Sequence, residues 1–218
     1  ILLGVRLSLY IGWGRTFNPK AKIIQMDIEN EEIGRNIPAD LPILSDIDKA
    51  LIKINDNIRD SGINFTNWMD TCREWKEDQW KEIIKLKDSN EKPLHVLRVV
   101  KSIEEVFDEN TMLCIDGGDT QAWTDSVYQN TKPGMYVKGG PLGCMGVGVP
   151  FALGSKVAFP ERQVALISGD GAIGMNLMEF ETAVRHKIPF VCIVCNDQSW
   201  GMTKHQHWLT YGKENTPP

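Results

Sequence analysis

In Ser168-Gly169-Asp170-Gly171-Ala172 one acid stands between two glycines directly after an apolar run. Glycine permits backbone angles that other residues resist and lets amide groups approach a ligand closely. Where such a turn opens a helix, the oriented N–H groups favour phosphate. An aspartate in that place repels phosphate unless a cation lies between them, so the combination points to a metal-bridged diphosphate. A second acid follows in Asn196-Asp197-Gln198-Ser199-Trp200-Gly201, immediately after the apolar run 190–195. If the two runs are adjacent parallel strands, Asp170 and Asp197 arrive at the same sheet edge. Magnesium takes about six oxygens and usually keeps phosphate oxygens and water among them. Two side-chain oxygens and one loop carbonyl leave room for the diphosphate and a water.

The elements that must position these residues are legible in outline. From Pro93 onward the sequence alternates strands and helices: a helix over 94–107, a strand 112–115 ending at Asp116-Gly117-Gly118-Asp119, and a strand 164–168. A helix over about 176–186 and a strand 190–195 complete the series. Between the first two strands lies the glycine-rich stretch Gly139-Gly140-Pro141-Leu142-Gly143-Cys144-Met145-Gly146-Val147-Gly148, which leads into a helix of small residues. Buried apolar strands joined by helical crossovers imply a parallel sheet covered on both faces. In such sheets ligands sit beyond the carboxyl ends of strands, where each of these loops falls.

Upstream, residues 1–54 alternate strand and turn signals. Ile23-Ile24-Gln25-Met26-Asp27-Ile28 has a parallel-strand pattern, and Ile43-Leu44 is followed by Ser45-Asp46 as the cap of a helix over 47–54. Residues 55–92 are rich in charge and carry Trp68, Trp75 and Trp80. Their spacings of seven and five only loosely fit one helical face, and the segment reads as a surface helix linker whose tryptophans pack on the neighbouring domain. The expected organisation is therefore a first domain over 1–54, a helical linker over 55–92, and a diphosphate- and metal-binding domain over 93–218. The opening Ile1-Leu2-Leu3-Gly4 reads like a buried strand, and the end at Pro217-Pro218 follows closely on the most informative motif. The sequence reads as an excerpt of a longer protein, with its last domain incomplete at the C-terminus.

Gly-Asp-Gly, then 24 residues from Ala172 to Cys195, then an Asn-Asp pair is a spacing that resembles the fingerprint of thiamine diphosphate-dependent enzymes. The sequence is most similar in pattern to the acetolactate synthase-like group of that superfamily, with 2-hydroxyacyl-CoA lyase and oxalyl-CoA decarboxylase as relatives. The resemblance extends to Ala158-Phe159-Pro160-Glu161-Arg162 and to Glu179-Phe180-Glu181-Thr182-Ala183-Val184-Arg185. It also takes in Gly143 to Pro150, Ile23 to Ile28, and Glu32-Ile33-Gly34-Arg35-Asn36, leaving out only the tryptophan-bearing linker. It implies an α/β fold: part of a Rossmann-like central domain, then most of a doubly wound parallel-sheet domain that binds thiamine diphosphate.

Carried over position by position, the resemblance implies that Asp170, Asp197 and the Ser199 carbonyl ligate magnesium. Gly169, with the amides of Gly171 and Ala172, would hold the diphosphate, and Asp119 and Thr120 would touch it. Met145 would lie under the cofactor and impose its bent conformation. The Gly143 carbonyl would accept a hydrogen bond from the cofactor's amino group and the Met145 amide would donate one to its ring. The resemblance also implies a homo-oligomer whose active site is shared between chains, with an activating glutamate from a separate amino-terminal domain outside this sequence. The sequence departs from the pattern at Asp197, where many relatives carry asparagine. Oxygen ligation is retained, and a further negative charge is placed beside the diphosphate.

Simpler readings bound these assignments. Asp27 matches a place where some relatives bind FAD, CoA or another nucleotide, but a turn or helix cap accounts for an acid there without a ligand. Cys192 and Cys195 form C-x-x-C inside an apolar strand, where residues three apart face opposite ways, so both read as core thiols. His205 and His207 have the chemistry of metal ligands, but a pair two apart on an exposed loop is more often not one, and they read as residues of an exposed loop. A net charge of −5 and a pI near 5.4 lack the basic footprint of a nucleic-acid binder. No apolar run has the length of a membrane span, and five scattered cysteines suit a reducing compartment, so a cytoplasmic location is expected. The leading expectation is carboligation or lyase chemistry on 2-oxo acids. The rivals are a lyase or decarboxylase of acyl-CoA substrates and a cofactor-binding relative without catalysis. A nicotinamide dehydrogenase lacks support, since no G-x-G-x-x-G joins a strand to a helix.

Overall fold

The computed structural model describes residues 1–128, 132–140 and 142–216, without the side chains of Leu9, Tyr10 and Gln79. Pro141 of the glycine-rich stretch and the terminal Pro217-Pro218 fall outside the described residues. The chain divides into two compact units, Ile1–Cys72 and Arg73–Pro218.

The first unit holds a parallel sheet ordered β1-β2-β3, from β1 (Leu2–Leu3), β2 (Ile24–Asp27) and β3 (Leu41–Leu44). Met26 and Gln25 of β2 are fully buried, and Gln25 satisfies its amide by donating to the Glu32 carbonyl and accepting from the Gly34 amide. Asp27 is also buried; its carboxylate accepts the Glu29 amide at 2.9 Å and so caps the turn after the strand. Helix α1 (Ile47–Ile58) follows, capped by the Asp46 carboxylate on the Lys49 amide, and runs one turn beyond the expected end. Helix α2 (Thr66–Asp88) spans the boundary between the units. The expectation that its tryptophans are packed is corrected for two of them: Trp68 and Trp75 are more than half exposed. Their spacing of seven leaves them on α2's solvent side, whereas Ile83 joins a core in the second unit.

After the rest of α2, the second unit runs through α3 (Val96–Val106), β4 (Met112–Asp116), α4 (Asp119–Val127), β5 (Tyr136–Lys138) and α5 (Gly148–Ala158). Then come β6 (Val164–Gly169), α6 (Asp170–Gly174), α7 (Glu179–Arg185), β7 (Val191–Cys195) and α8 (Gly201–Tyr211). The four strands form one parallel sheet ordered β5-β4-β6-β7. Because strand side chains alternate between faces, this sheet carries two cores. Met112, Cys114, Val164 and Leu166 pack under α5 and α7 on one face. Leu113, Ile115, Ala165 and Ile167 pack under α3 and the end of α4 on the other. Each fully buried side chain of this size contributes about 1.5–3 kcal/mol, so both faces hold the sheet rigid beneath its loops. This is the doubly covered α/β architecture that the alternation of elements requires.

Four details differ from the sequence expectation. The helix expected over 176–186 starts only at Glu179, because Met175–Met178 forms a turn in which the Asn176 side chain donates to the Gly146 carbonyl. Strand β7 is the last strand of the described sheet, and its Val191 and Val194 are exposed, so it is not the fully buried strand its composition suggests. Cys192 and Cys195 do face opposite cores, as their spacing demands, but each is only half-buried. His205 and His207 lie on α8, not on a loop. Among the described residues no helix is long and apolar enough to cross a membrane.

Candidate functional site

Strands β4 and β6 are neighbours, yet α4 returns over one face of the sheet and α6 with α7 over the other. Adjacent strands whose connections diverge in this way open a crevice at their carboxyl ends, the usual ligand position in an open parallel sheet. The loops at that crevice touch. A β-carbon built on Gly117 would sit 3.2 Å from the Gly169 amide nitrogen and 3.6 Å from the Ala172 side chain. Thr120, buried on α4, faces Gly169 from the same side.

Asp170 begins α6 directly after β6, and Asp197 follows β7, its immediate neighbour in the sheet. Asp170 Oδ1 accepts the Gly171 amide at 2.8 Å, and Oδ2 accepts the Gln198 amide at 3.0 Å. Asp170 is thereby tied to the loop that carries Asp197. Gln198 takes a left-handed φ of 58° to present that amide. Asp197 in turn accepts the Ser199 amide at 3.1 Å and the Ser199 hydroxyl at 3.0 Å. Neither carboxylate is in an ion pair among the described residues. Two uncompensated acids on one edge, with lone pairs left over, form an oxygen-only donor set that fits a hard divalent cation. Among the described residues no three or more His, Cys, Asp or Glu side chains gather into a metal cage. An ion held here would therefore draw most of its oxygens from backbone, ligand and water.

Gly171 faces Trp200: a β-carbon there would lie 2.8 Å from the indole Cδ1 and Nε1. Its amide, expected to serve the diphosphate, is in this arrangement engaged by the carboxylate of Asp170. Gly143 and Met145 lie in the loop between β5 and α5, Gly143 at φ 63° and Met145 partly exposed.

Three residues of this constellation escaped the reading of the sequence. Asp116 ends β4 almost fully buried and accepts the amides of Gly117, Gly146 and Gly148 at 2.7, 3.3 and 2.7 Å. Asn176 holds the Gly146 carbonyl from the other side. These two fix the loop that carries Gly143 and Met145. The available signal was an acid at a strand end facing a glycine run whose amides need acceptors. The third is His205, whose Nδ1 lies 2.8 Å from Asp119 Oδ2. Nearby, burial pushes the Cys195 thiol up to about 11; its hydrogen bond with Thr120 opposes this and the Asp197 charge adds to it. The thiol next to Thr120 therefore stays protonated at neutral pH.

Comparison with known proteins agrees with this geometry. Residues 116–218 match the model described as thiamine pyrophosphate enzyme, C-terminal TPP binding domain, and residues 1–54 match the thiamine pyrophosphate enzyme central domain. A probable acetolactate synthase large subunit of Methanocaldococcus jannaschii is 35% identical over 99% of this chain and 37% of its own length. The corresponding protein of Methanococcus aeolicus is 34% identical over 98% of this chain and 38% of its own. A 2-hydroxyacyl-CoA lyase 2 of Caenorhabditis elegans is 31% identical over 92% of this chain and 32% of its own. The chain thus spans between 32% and 38% of the length of these relatives. With one such domain matched at each end of the chain, and relatives of that family matched over 92% or more of it, the chain belongs to the thiamine pyrophosphate enzyme family.

Proposed function

We propose that this chain is the cofactor-holding part of a magnesium- and thiamine diphosphate-dependent carboligase or lyase that acts on 2-oxo acids in the manner of acetolactate synthase. The observation that carries the reading is the tie between Asp170 and the Asp197 loop, through the Gln198 amide at 3.0 Å, at the carboxyl ends of adjacent strands. In this reading Asp170, Asp197 and the Ser199 carbonyl hold the metal. Gly169, Gly171 and Ala172 hold the diphosphate from one side of the crevice, and Thr120 with the backbone of Asp119 from the other. Gly143 and Met145, on the loop pinned by Asp116 and Asn176, position the reactive end. When bound, the cofactor supplies a nucleophilic carbon and an electron sink for cleaving or forming a bond next to a carbonyl. The protein's part is orientation and charge: two carboxylates and a carbonyl on a rigid sheet edge would hold the metal, and the glycine amides beside them would hold the diphosphate. The domains over 1–54, 55–92 and 93–218 keep their proposed roles as central domain, linker and binding domain. The working unit is a cytoplasmic homo-oligomer in which another domain supplies the activating glutamate.

The test is calorimetric titration of the full-length protein with thiamine diphosphate, in magnesium and again in EDTA. Binding is expected only with magnesium, and D170A is expected to weaken it at least a hundredfold, since one of the two side-chain ligands is removed. Equal binding with and without the metal, or an unaffected D170A, would overturn the assignment. The similarity to 2-hydroxyacyl-CoA lyase 2 supports a second reading, an acyl-CoA substrate. It is distinguished by whether the loaded enzyme consumes a 2-hydroxyacyl-CoA thioester or a free 2-oxo acid.

A further inference from the structure

Helix α8 lies against the crevice through one face. Gly201 and His205 are four residues apart and Met202 and His205 three apart, the spacings that share a helix face. A β-carbon on Gly201 would fall 2.6 Å from Asp119 Oδ2 and 2.7 Å from Asp197 Oδ2, so both carboxylates close on the start of the helix. A β-carbon on Gly118 would fall 2.8 Å from that of Met202, so the loop after β4 is in van der Waals contact with the same face. One turn further along, His205 Nδ1 meets Asp119 Oδ2 at 2.8 Å, and its ring packs edge-on against Trp208 at 4.9 Å.

Asp119 therefore occupies a difficult position. It is mostly sheltered, with 27% of its side chain exposed, and it stands at the crevice proposed to take a diphosphate. A carboxylate facing that much negative charge costs binding energy unless a donor takes up its lone pairs. Among the described residues its ion-pair partner is His205, reached from an element outside the Gly-Asp-Gly and Asn-Asp motifs.

We propose that His205 is a positioning residue for the cofactor site: with Nδ1 2.8 Å from Asp119 Oδ2, it holds that carboxylate away from the diphosphate and latches α8 to the loop after β4. This inference rests on the cofactor reading given above. The pair is half open to solvent on the histidine side, so its contribution to folding is small. Its effect is concentrated in the ligand-bound state, where Asp119 faces the diphosphate.

The experiment is a calorimetric titration of the full-length protein with thiamine diphosphate in magnesium, comparing wild type with H205A, H205N, D119N and the H205A/D119N pair. H205A is expected to weaken binding about tenfold, ~1.4 kcal/mol. H205N, which keeps a polar side chain of similar reach, recovers most of the loss. D119N, whose amide carries no charge, makes the H205A change nearly silent, so the two losses are not additive. Without ligand, backbone amides of α8 are expected to exchange faster with solvent in H205A than in wild type. Wild-type binding with an unchanged H205A would overturn the role of His205 and leave the cofactor site standing. So would a loss in H205A that H205N fails to restore or that D119N fails to absorb. A wild-type protein that binds no thiamine diphosphate would overturn the cofactor reading and this inference together.

Discussion

Asp116 is 2% exposed and accepts three backbone amides, two of them from the glycine-rich loop that carries Gly143 and Met145. A buried N–H left without a partner costs about 1–3 kcal/mol, and D116A strands three of them. That substitution is expected to loosen the loop by at least about 2 kcal/mol, read as roughly 30-fold faster exchange of the Gly146 and Gly148 amides. Exchange no faster than wild type would mean that Asn176 holds the loop unaided. At this scale the sequence was most informative where a residue's type and spacing are both unusual: Asp170 and Asp197 arrive on adjacent strand ends, as their flanking apolar runs imply. It was least informative for Asp116 and His205. An acid at a strand end and a histidine after a motif are ordinary residues, and their partners lie 30 and 86 positions away in the chain. Local pattern has no access to such contacts.

Elements were legible wherever burial enforces a period. The strands alternate between two cores, and their ends fall within a residue or two of the apolar runs. Where tertiary contacts compete with propensity the reading failed, as at Met175–Met178, whose turn is held by the bond from Asn176 to Gly146. The start of α3 shows how much one cap can carry. His95 precedes the helix and its Nδ1 accepts the Leu97 amide at 3.2 Å, with the ring edge-on to Trp123 at 4.8 Å. Both the cap and the burial of the ring require neutral imidazole, and burial lowers its pKa from the ordinary value. The unfolded chain takes up a proton below about pH 6.5, while the folded chain resists until lower pH. Stability is thus full above that value and falls as the pH drops beneath it. H95N keeps an acceptor for the Leu97 amide without titrating, so its acid limb between about pH 6.5 and 5 should be flatter than wild type. Its stability at neutral pH should lie within about 1 kcal/mol of wild type. Melting temperatures across that range decide it, and parallel acid limbs would remove His95 from the account.

At the scale of the whole molecule, a rigid doubly covered sheet presents the proposed metal and diphosphate residues at one crevice, yet that crevice supplies only part of a reaction. Its acids, amides and glycines hold and orient a charged group. Among the described residues of that crevice, Asp170 is engaged by two backbone amides and Asp197 by Ser199, arrangements that position charge rather than relay protons. In the proposed reading the activating glutamate comes from a separate domain, and this chain spans between 32% and 38% of the relatives' length. The 218 residues by themselves are therefore expected to fold, since the second unit encloses cores on both sheet faces, and to show no turnover of a 2-oxo acid. The measurement is consumption of pyruvate by the isolated chain and by the full-length protein, at saturating thiamine diphosphate and magnesium, with circular dichroism to establish that the isolated chain is folded. Activity confined to the full-length protein places the proton-handling groups outside this chain. Turnover by the folded, isolated chain would mean that a group within these residues activates the cofactor. The partly sheltered Asp119 with its histidine partner would then be the first place to look.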